Sequence, residues 1–256
     1  MRDAKTAIVT GAGSGIGRAT ARRFAEDGYS VLCADIAGEA AGAVAAELER
    51  DGQSARALRC DITDQAAVGQ MAQSALDWTG RIDAVAANAG VMVEGGVLAL
   101  SLDEWRRALD VNATGAFLTA RAVLPHLMDT KGALVLTAST VALSGMKGVA
   151  AYSAAKGAIA ALTRQIAADM AEHGVRANAV APGAVRTPLS ESQFRARSAN
   201  EAEFEGLLAQ VIKRYPLSRW GRAEEIAEVI HLLGTERSSW MTGQIIPIDG
   251  GLLELR

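Results

Sequence analysis

Short runs of apolar and β-branched residues recur along the chain, separated by longer stretches in which apolar residues follow helical spacing. Runs of this kind, bounded by Gly, Asn or Asp, predict buried β-strands. The runs are TAIVT (6–10), SVLCAD (30–35), ARALRC (55–60), IDAVAAN (82–88), GALVLTAS (132–139), VRANAVAP (175–182) and QIIPID (244–249). The stretches between them include GIGRATARRFAEDG, GEAAGAVAAELERDG and AAVGQMAQSALDWTG, which end in Asp-Gly or Thr-Gly as helices commonly do. Strands therefore alternate with helices.

This alternation predicts right-handed βαβ units and an α/β fold: a doubly wound, mainly parallel sheet of seven strands with helices on both faces. The near-continuous apolar strands agree with burial on both sides. Ser101 and Glu104 have capping-box spacing, so a helix is expected to start there. We expect one domain over residues 1–256, in which the charged, helix-compatible segment 186–215 is an insertion that covers the substrate.

The composition narrows the possible partners. The net charge of the 256 residues is −3 and no basic run stands out, so neither nucleic acid nor an anionic membrane is expected as a partner. No apolar run approaches the ~20 residues of a membrane span. The chain enters a strand by Thr6, which leaves no room for a signal peptide, and a cytoplasmic protein is expected.

The two cysteines and three histidines suggest no chemistry of their own. Cys33 and Cys60 are expected on strands as buried thiols, because neither lies in a metal-ligand pattern. The histidines are scattered without metal-ligand spacing, and we expect surface or helix-end positions for them: His126, His173 and His231. No metal site is predicted.

A glycine-rich turn, TGAGSGIG (10–17), follows the first predicted strand and opens a helix. The spacing of Gly11, Gly15 and Gly17 differs from G-x-G-x-x-G, but the same physics lets a pyrophosphate approach the backbone and the helix N-terminus. By itself this spacing also suits a merely structural turn. Asp35 ends the second predicted strand, 18 residues beyond Gly17, where a carboxylate can bind ribose hydroxyls and repel a 2′-phosphate. We therefore expect NAD rather than NADP.

Two reactive side chains stand out in the Ala-rich stretch AAYSAAKGAIAAL (150–162). Tyr152 and Lys156 are four residues apart, so on a helix they share one face. A solvated surface pair and a proton-transfer device both fit this spacing.

Several motifs then occur in a fixed order over nearly the whole chain, and together they resemble the short-chain dehydrogenase/reductase family. TGAGSGIG resembles the family's TGxxxGxG turn, and YSAAK its YxxxK motif. ANAG (87–90) resembles NNAG, with Ala87 in place of the first Asn. The remaining matches are CDITD (60–64), VNATGAF (111–117), Ser139 at the end of the fifth strand, APGAVRTP (181–188) and WMTGQIIPIDGG (240–251).

The resemblance implies a Rossmann-like fold and an enzyme that moves a hydride between a secondary alcohol and NAD(P). It assigns catalysis to Asn112, Ser139, Tyr152 and Lys156, with Tyr152 as the base and Asn112 in a water-linked proton relay that reaches Lys156. It assigns cofactor contacts to Gly11, Ser14, Gly15, Ile16, Gly17, Asp35, Asp61, Ile62, Asn88, Ala89, Gly90, Tyr152, Lys156, Pro182, Gly183, Val185 and Thr187. A unit charge on Lys156 at ~4 Å from the phenol, worth about 4 kcal/mol, is expected to bring the Tyr152 pKa from about 10 toward neutrality.

The substrate is expected to be a small molecule, an alcohol or ketone of aliphatic, alicyclic or steroid-like character. Apolar wall residues favour this class: Val93, Val141, Leu143, Met146 and Leu189. Glu94 argues instead for a polyol or sugar. An NADPH-dependent 3-oxoacyl-(acyl-carrier-protein) reductase is the alternative enzyme, and a non-catalytic NAD-binding protein is the alternative outside the enzymes. The resemblance also implies a homotetramer, or a dimer, built through the long fourth and fifth helices and through the C-terminal helix and strand.

Overall fold

A computed structural model describes residues 4–255 and shows seven strands in one parallel sheet. They are β1 (Thr6–Thr10), β2 (Ser30–Asp35), β3 (Ala55–Arg59), β4 (Ala84–Ala87), β5 (Ala133–Thr137), β6 (Arg176–Pro182) and β7 (Ile245–Ile248). The sheet order is β3-β2-β1-β4-β5-β6-β7, with Ile8 of β1 in register with Leu32 of β2 and Val85 of β4. The predicted fold class is confirmed: the molecule is a single Rossmann-like domain.

Helices cover both faces of the sheet. They are α1 (Gly15–Glu26), α2 (Gly38–Arg50), α3 (Gln65–Thr79), α4 (Leu102–Leu109), α5 (Gly115–Thr130), α6 (Ala150–Met170), α7 (Pro188–Ala196), α8 (Glu201–Ile212) and α9 (Ala223–Gly234). Ser101 and Glu104 form the expected capping box of α4. A π-helical turn, Asp110–Thr114, joins α4 to α5. Helices α7 and α8 form within the segment 186–215 and interrupt the strand–helix alternation after β6. Among the helices of residues 4–255, none is both long and apolar enough to cross a membrane.

The strands bury alternate side chains in two cores, one on each face of the sheet. Ile8 and Leu134 point into the core that is shared with α3, α5 and α6. Val9 and Val135, their chain neighbours, point into the core that is shared with α1, α2 and α9. Burial on both faces explains why the strands read as continuous apolar runs.

The structure corrects the expectation for one cysteine and adds burial to the helix-end position expected for one histidine. Cys33 lies in β2, but Cys60 lies one residue beyond β3; burial raises the thiol pKa values to about 12 and about 11. His231 lies in the last turn of α9, yet it is completely buried, because its ring packs edge-on against Phe24 and its Nε2 lies 3.0 Å from Oδ2 of Asp27. This burial lowers the His231 pKa.

The sheet order creates a crevice at the carboxyl ends of β1 and β4, where successive connections depart in opposite directions along the sheet. The Thr10 hydroxyl accepts hydrogen bonds from the backbone N–H groups of Asn88 (3.0 Å) and Ala89 (3.1 Å). These bonds tie the loop after β4 to the end of β1. The loops after β1 and β4 therefore form one continuous surface at the base of the crevice.

Candidate active site

The glycine-rich turn after β1 requires its glycines for two separate reasons. Gly11 and Gly15 have φ values of +67° and +50°, in the left-handed region that other residues rarely adopt. A Cβ at Gly17 would lie only 1.9 Å from the carbonyl oxygen of Gly11, so the turn closes on the helix too tightly for any side chain. The sequence of this turn is therefore dictated by its backbone conformation and by its close approach to the helix.

Helix α1 begins without a side-chain cap. Ser14 is its N-cap residue but makes no capping hydrogen bond, and the first turn, which includes Gly15 and Ile16, carries no acidic residue. Helix α3, in contrast, is capped by Asp64, whose Oδ1 accepts from the N–H of Ala66 at 2.8 Å. The uncapped N–H groups and the positive end of the α1 dipole suit the pyrophosphate of a dinucleotide.

Asp35, the last residue of β2, holds its carboxylate beside this turn. Oδ2 accepts from the N–H of Gly13 and Oδ1 from the N–H of Ala37, both at 2.9 Å. A Cβ at Gly13 would lie 3.0 Å from Oδ2, so glycine permits this close approach. Each carboxylate oxygen retains a lone pair for a further donor such as a ribose hydroxyl.

Asp61 and Ile62 follow β3, on the same side of the sheet. Asp61 Oδ1 accepts from the backbone N–H (2.9 Å) and the hydroxyl (2.7 Å) of Thr63, and these bonds lower the Asp61 pKa. The Ile62 side chain is buried against Gly115, where a Cβ would lie 2.6 Å from its Cδ1. Hydrogen bonds thus hold the Asp61 carboxylate and packing holds the Ile62 side chain, while their contact with adenine stays a prediction.

Asn88 bridges the ends of three strands. Its Nδ2 donates to the Thr10 carbonyl at 3.3 Å, and its Oδ1 accepts from the Thr137 hydroxyl at 3.3 Å. Sequence reasoning missed Thr10 and Thr137 as positioning residues, because a threonine that ends a strand carries no distinguishing signal. Ala89 and Gly90 follow Asn88 in the loop that this network fixes.

Tyr152, Lys156 and Ser139 converge at the carboxyl end of β5, as predicted. Tyr152 and Lys156 lie on α6 and are 9% and 3% exposed, so they are not a solvated surface pair. Lys156 Nζ donates to the Thr137 carbonyl at 2.7 Å and lies 5.5 Å from the centre of the Tyr152 ring. Ser139 caps a short 3₁₀ turn, and its side chain forms a hydrogen bond with Tyr152.

Burial shifts the pKa values of both titratable side chains in this group. Burial raises the pKa of Tyr152 to about 12, which the hydrogen bond from Ser139 opposes only in part. Burial also lowers the pKa of Lys156 to about 8. Desolvation thus opposes the expected lowering of the Tyr152 pKa by Lys156, which stays a prediction. Tyr152 is a neutral phenol at neutral pH, ready to donate its proton.

Asn112 lies in the π-helical turn and is buried, with every polar atom of its side chain in use. Nδ2 donates to the carbonyls of Val91 (2.9 Å) and Ala108 (3.0 Å), and Oδ1 accepts from the N–H of Val91 (3.2 Å). A Cβ at Gly90 would lie 2.6 Å from Asn112 Oδ1 and 3.5 Å from Lys156 Nζ. The Asn112 amide therefore fixes the loop beside Lys156.

The turn after β6 closes the site from the opposite side. It follows Pro182, the last residue of β6, and includes Gly183, Val185 and Thr187. Thr187 caps α7 by accepting from the N–H of Ser190 at 3.3 Å. A Cβ at Gly15 would lie 3.2 Å from Thr187 Cβ, so Thr187 lies directly beside the glycine-rich turn. The predicted cofactor residues thus surround one crevice at the carboxyl edge of the sheet.

The predicted apolar wall is brought together only in part. Val141 packs with Tyr152, Val149 and Met92, so it lies at the reactive group. Val93 instead packs behind it, against Ala108 and Ala151. The other three predicted wall residues, Leu143, Met146 and Leu189, retain exposed surface. Glu94 Oε1 lies 3.3 Å from a guanidinium nitrogen of Arg197, just beyond α7, so its charge already has a partner.

Comparisons with known proteins agree with this geometry. A family model described as enoyl-(acyl carrier protein) reductase matches residues 11–253. The chain is 41% identical over 249 residues to meso-2,3-butanediol dehydrogenase of Serratia marcescens, which covers 97% of this chain and 94% of that protein. It is 32% identical over 252 residues to the 3-oxoacyl-(acyl-carrier-protein) reductase FabG of Thermotoga maritima, with 98% of each covered. The crystal structure of levodione reductase superposes with a TM-score of 0.90 at 31% identity, covering 96% of each chain.

Fold and site together define an oxidoreductase that acts on CH–OH groups with a nicotinamide dinucleotide. The chain belongs to the short-chain dehydrogenase/reductase family.

Proposed function

We propose that this oxidoreductase prefers NAD(H) and interconverts a small, uncharged secondary alcohol and its ketone, with Tyr152 exchanging the hydroxyl proton. One observation carries the proposal: a buried phenol, a buried ammonium and a serine hydroxyl meet at the carboxyl end of β5, beside the uncapped start of α1. A buried Tyr–Lys pair without a proton to transfer would be a costly arrangement for a core. Its position at the crevice supports a catalytic role.

The chemistry divides between the cofactor and the side chains. When bound, the nicotinamide accepts the hydride from the alcohol carbon or returns it to the ketone. Tyr152 gives its phenolic proton to the ketone oxygen during reduction and takes the hydroxyl proton during oxidation. Ser139 donates a hydrogen bond to the same oxygen, where negative charge develops. Lys156, positioned by the Thr137 carbonyl, supplies a positive charge that favours the phenolate.

The other predicted site residues support this group at a distance. In our proposal the cofactor occupies the crevice between the glycine-rich turn and Thr187, with the adenosine toward Asp35, Asp61 and Ile62. Asn112 holds the loop that carries Gly90 against Lys156 and takes part in a water-linked relay that returns the proton to solvent. Its fully bonded amide supports the positioning part of this role.

The substrate proposal uses the chemistry of the pocket and one relative. Val141, Met92 and Val149 surround Tyr152 with apolar surface, and the Glu94 carboxylate is paired with Arg197. The similarity to meso-2,3-butanediol dehydrogenase supports short vicinal diols and hydroxyketones as substrates. The similarity to FabG keeps an NADPH-dependent 3-oxoacyl reductase as the second candidate. Asp35, and a glycine-rich turn without Arg or Lys, argue against it.

A small substrate panel tests the proposal. The purified enzyme is assayed with NAD⁺ and with NADP⁺ on butane-2,3-diol and cyclohexanol, and with NADH and NADPH on diacetyl and an acetoacetyl thioester. We expect NADH formation from butane-2,3-diol and the highest kcat/KM with NAD⁺. The highest kcat/KM for NADPH on the acetoacetyl thioester would establish the second candidate. Absence of turnover alongside NADH binding would indicate the non-catalytic alternative.

The raised Tyr152 pKa and the lowered Lys156 pKa determine the direction of the pH dependence. Oxidation requires the unprotonated phenol, which the Lys156 charge favours, so kcat/KM for the alcohol is expected to climb with pH from 7 to about 8 and to level off as Lys156 loses its proton. Reduction uses the protonated phenol, so kcat/KM for the ketone is expected to stay level below pH about 8 and to decline as Lys156 loses its charge. Profiles in both directions check this, and alcohol oxidation that slows between pH 7 and 9 would contradict it.

We also propose that the enzyme is a cytoplasmic homotetramer, or a dimer, assembled through α5, α6 and the α9–β7 edge. Strand β7 is a sheet edge, and large apolar side chains remain exposed on these surfaces, including Phe117 and Trp240. Exposed apolar patches of this kind commonly mark interfaces.

A further inference from the structure

The segment 186–215, which contains α7 and α8, departs from and returns to the same point beside β6. At its departure, the N–H of Arg186 donates to the Gly221 carbonyl (3.0 Å), and the N–H of Gly221 donates to the Ala184 carbonyl (2.9 Å). At its return, the hydroxyl of Tyr215 accepts from the N–H of Ala184 at 2.8 Å. Tyr215 thus joins the end of the segment to the turn from which the segment starts.

The Tyr215 side chain is built closely into this turn. It is 7% exposed, and a Cβ at Gly183 would lie 2.9 Å from its Cε1. A Cβ at Gly250 would lie 3.7 Å from its Cδ1. Gly183 therefore has a second role besides the one implied by the family motif: it makes room for the tyrosine ring.

Protein atoms do not pack against the turn on every side. A cavity of about 150 Å³ lies next to it, lined by residues that include Ala184, Tyr215, Gly221, Ile248 and Asp249. Because this space is not filled by protein atoms, the turn has room to shift if a hydrogen bond is lost. The Tyr215 hydroxyl accepts a hydrogen bond from the N–H of Ala184. Ala184 lies immediately before Val185 and three residues before Thr187.

We propose that Tyr215 is a positioning residue for the nicotinamide end of the cofactor, acting through the backbone of Ala184 on Val185 and Thr187. The inference rests on the proposed function, because Thr187 beside Gly15 is the group that would face the nicotinamide amide. In the proposed function the adenosine half of the cofactor would lie toward Asp35, at the end of β2, and Asp61, in the loop after β3. Loss of the Tyr215 hydroxyl should therefore weaken the binding of the nicotinamide half of the cofactor only.

The test compares two ligands in Tyr215→Phe. Phenylalanine keeps the ring and its contacts, so the variant is expected to fold, which circular dichroism and the melting temperature of the ligand-free protein verify. NADH contains the nicotinamide and ADP-ribose lacks it, so their affinities are measured separately by calorimetry. We expect NADH affinity to fall about 5- to 150-fold, the range that corresponds to a buried donor losing its acceptor, with ADP-ribose affinity unchanged within about twofold. Tyr29→Phe, at a buried tyrosine between α1 and β2, is the matched control and should alter neither affinity.

Two results in the variant would overturn the positioning role: equal weakening of both ligands, which a merely structural role produces, and unchanged affinity for both. Wild-type protein that binds neither ligand would overturn the proposed function itself, and this inference with it. The wild-type measurement therefore separates the two failures.

Discussion

Tyr152→Phe is expected to lower kcat about 10²- to 10⁴-fold in both directions while leaving NADH affinity nearly unchanged. The phenol is the only titratable group of the catalytic set that the resemblance places at the substrate oxygen, and general acid–base catalysis contributes factors of this size. Its ring packs with Val141, Val149 and Met92, and phenylalanine preserves those contacts. The fall in kcat therefore reflects the missing phenolic proton and not a change in the packing of the pocket.

Steady-state kinetics with the preferred alcohol and ketone, together with NADH titration, measure this effect. Tyr29→Phe again provides the control, since it removes a buried hydroxyl far from the crevice and should retain full turnover. A Tyr152→Phe enzyme whose kcat stays within threefold of wild type would show that another group carries the proton.

Asp35→Asn is expected to lower the ratio of kcat/KM for NAD⁺ to that for NADP⁺ about 10- to 100-fold. The carboxylate, fixed by the N–H groups of Gly13 and Ala37, can accept charge-assisted hydrogen bonds from ribose hydroxyls and repels a 2′-phosphate. Hydrogen bonds to charged groups contribute about 1.5–3 kcal/mol, which corresponds to this range. Asparagine keeps a side-chain oxygen as acceptor but removes the charge.

The two cofactors are compared under identical conditions in wild type, Asp35→Asn and Asp51→Asn. Asp51 is an exposed carboxylate at the end of α2 that pairs with Arg22, so its neutralisation should leave cofactor selectivity unchanged. A wild-type preference for NADP⁺, or a ratio that Asp35→Asn leaves unaltered, would refute the role of this carboxylate.

The sheet could be predicted from the sequence because strand burial and helix ends leave signals in residues that are close together along the chain. Strands buried on both faces become continuous apolar runs, and each helix between them begins or ends at a recognisable residue, such as Ser101 or the glycine after Asp27. The sites at strand ends followed from topology, since parallel strands bring their carboxyl ends to one edge. For this reason Tyr152 and Ser139, which come from different elements, could be expected to meet.

Other features depend on contacts between distant residues and could not be predicted. Thr10 and Thr137 act as anchors only because β1, β4 and β5 place Asn88 between them. The π-helical turn that orients Asn112 has no pattern of its own. The pKa values of Tyr152 and Lys156 depend on how completely both are enclosed, which their spacing along the chain does not reveal.

Isotope transfer tests the central claim most directly. Butane-2,3-diol carrying deuterium on its carbinol carbons is incubated with NAD⁺ and the enzyme, and the NADH formed is analysed by mass spectrometry. We predict one deuterium in each NADH, formed at least about 10²-fold more slowly by Tyr152→Phe. NADH without the label, or equal rates of labelled NADH formation by wild type and Tyr152→Phe, would contradict it.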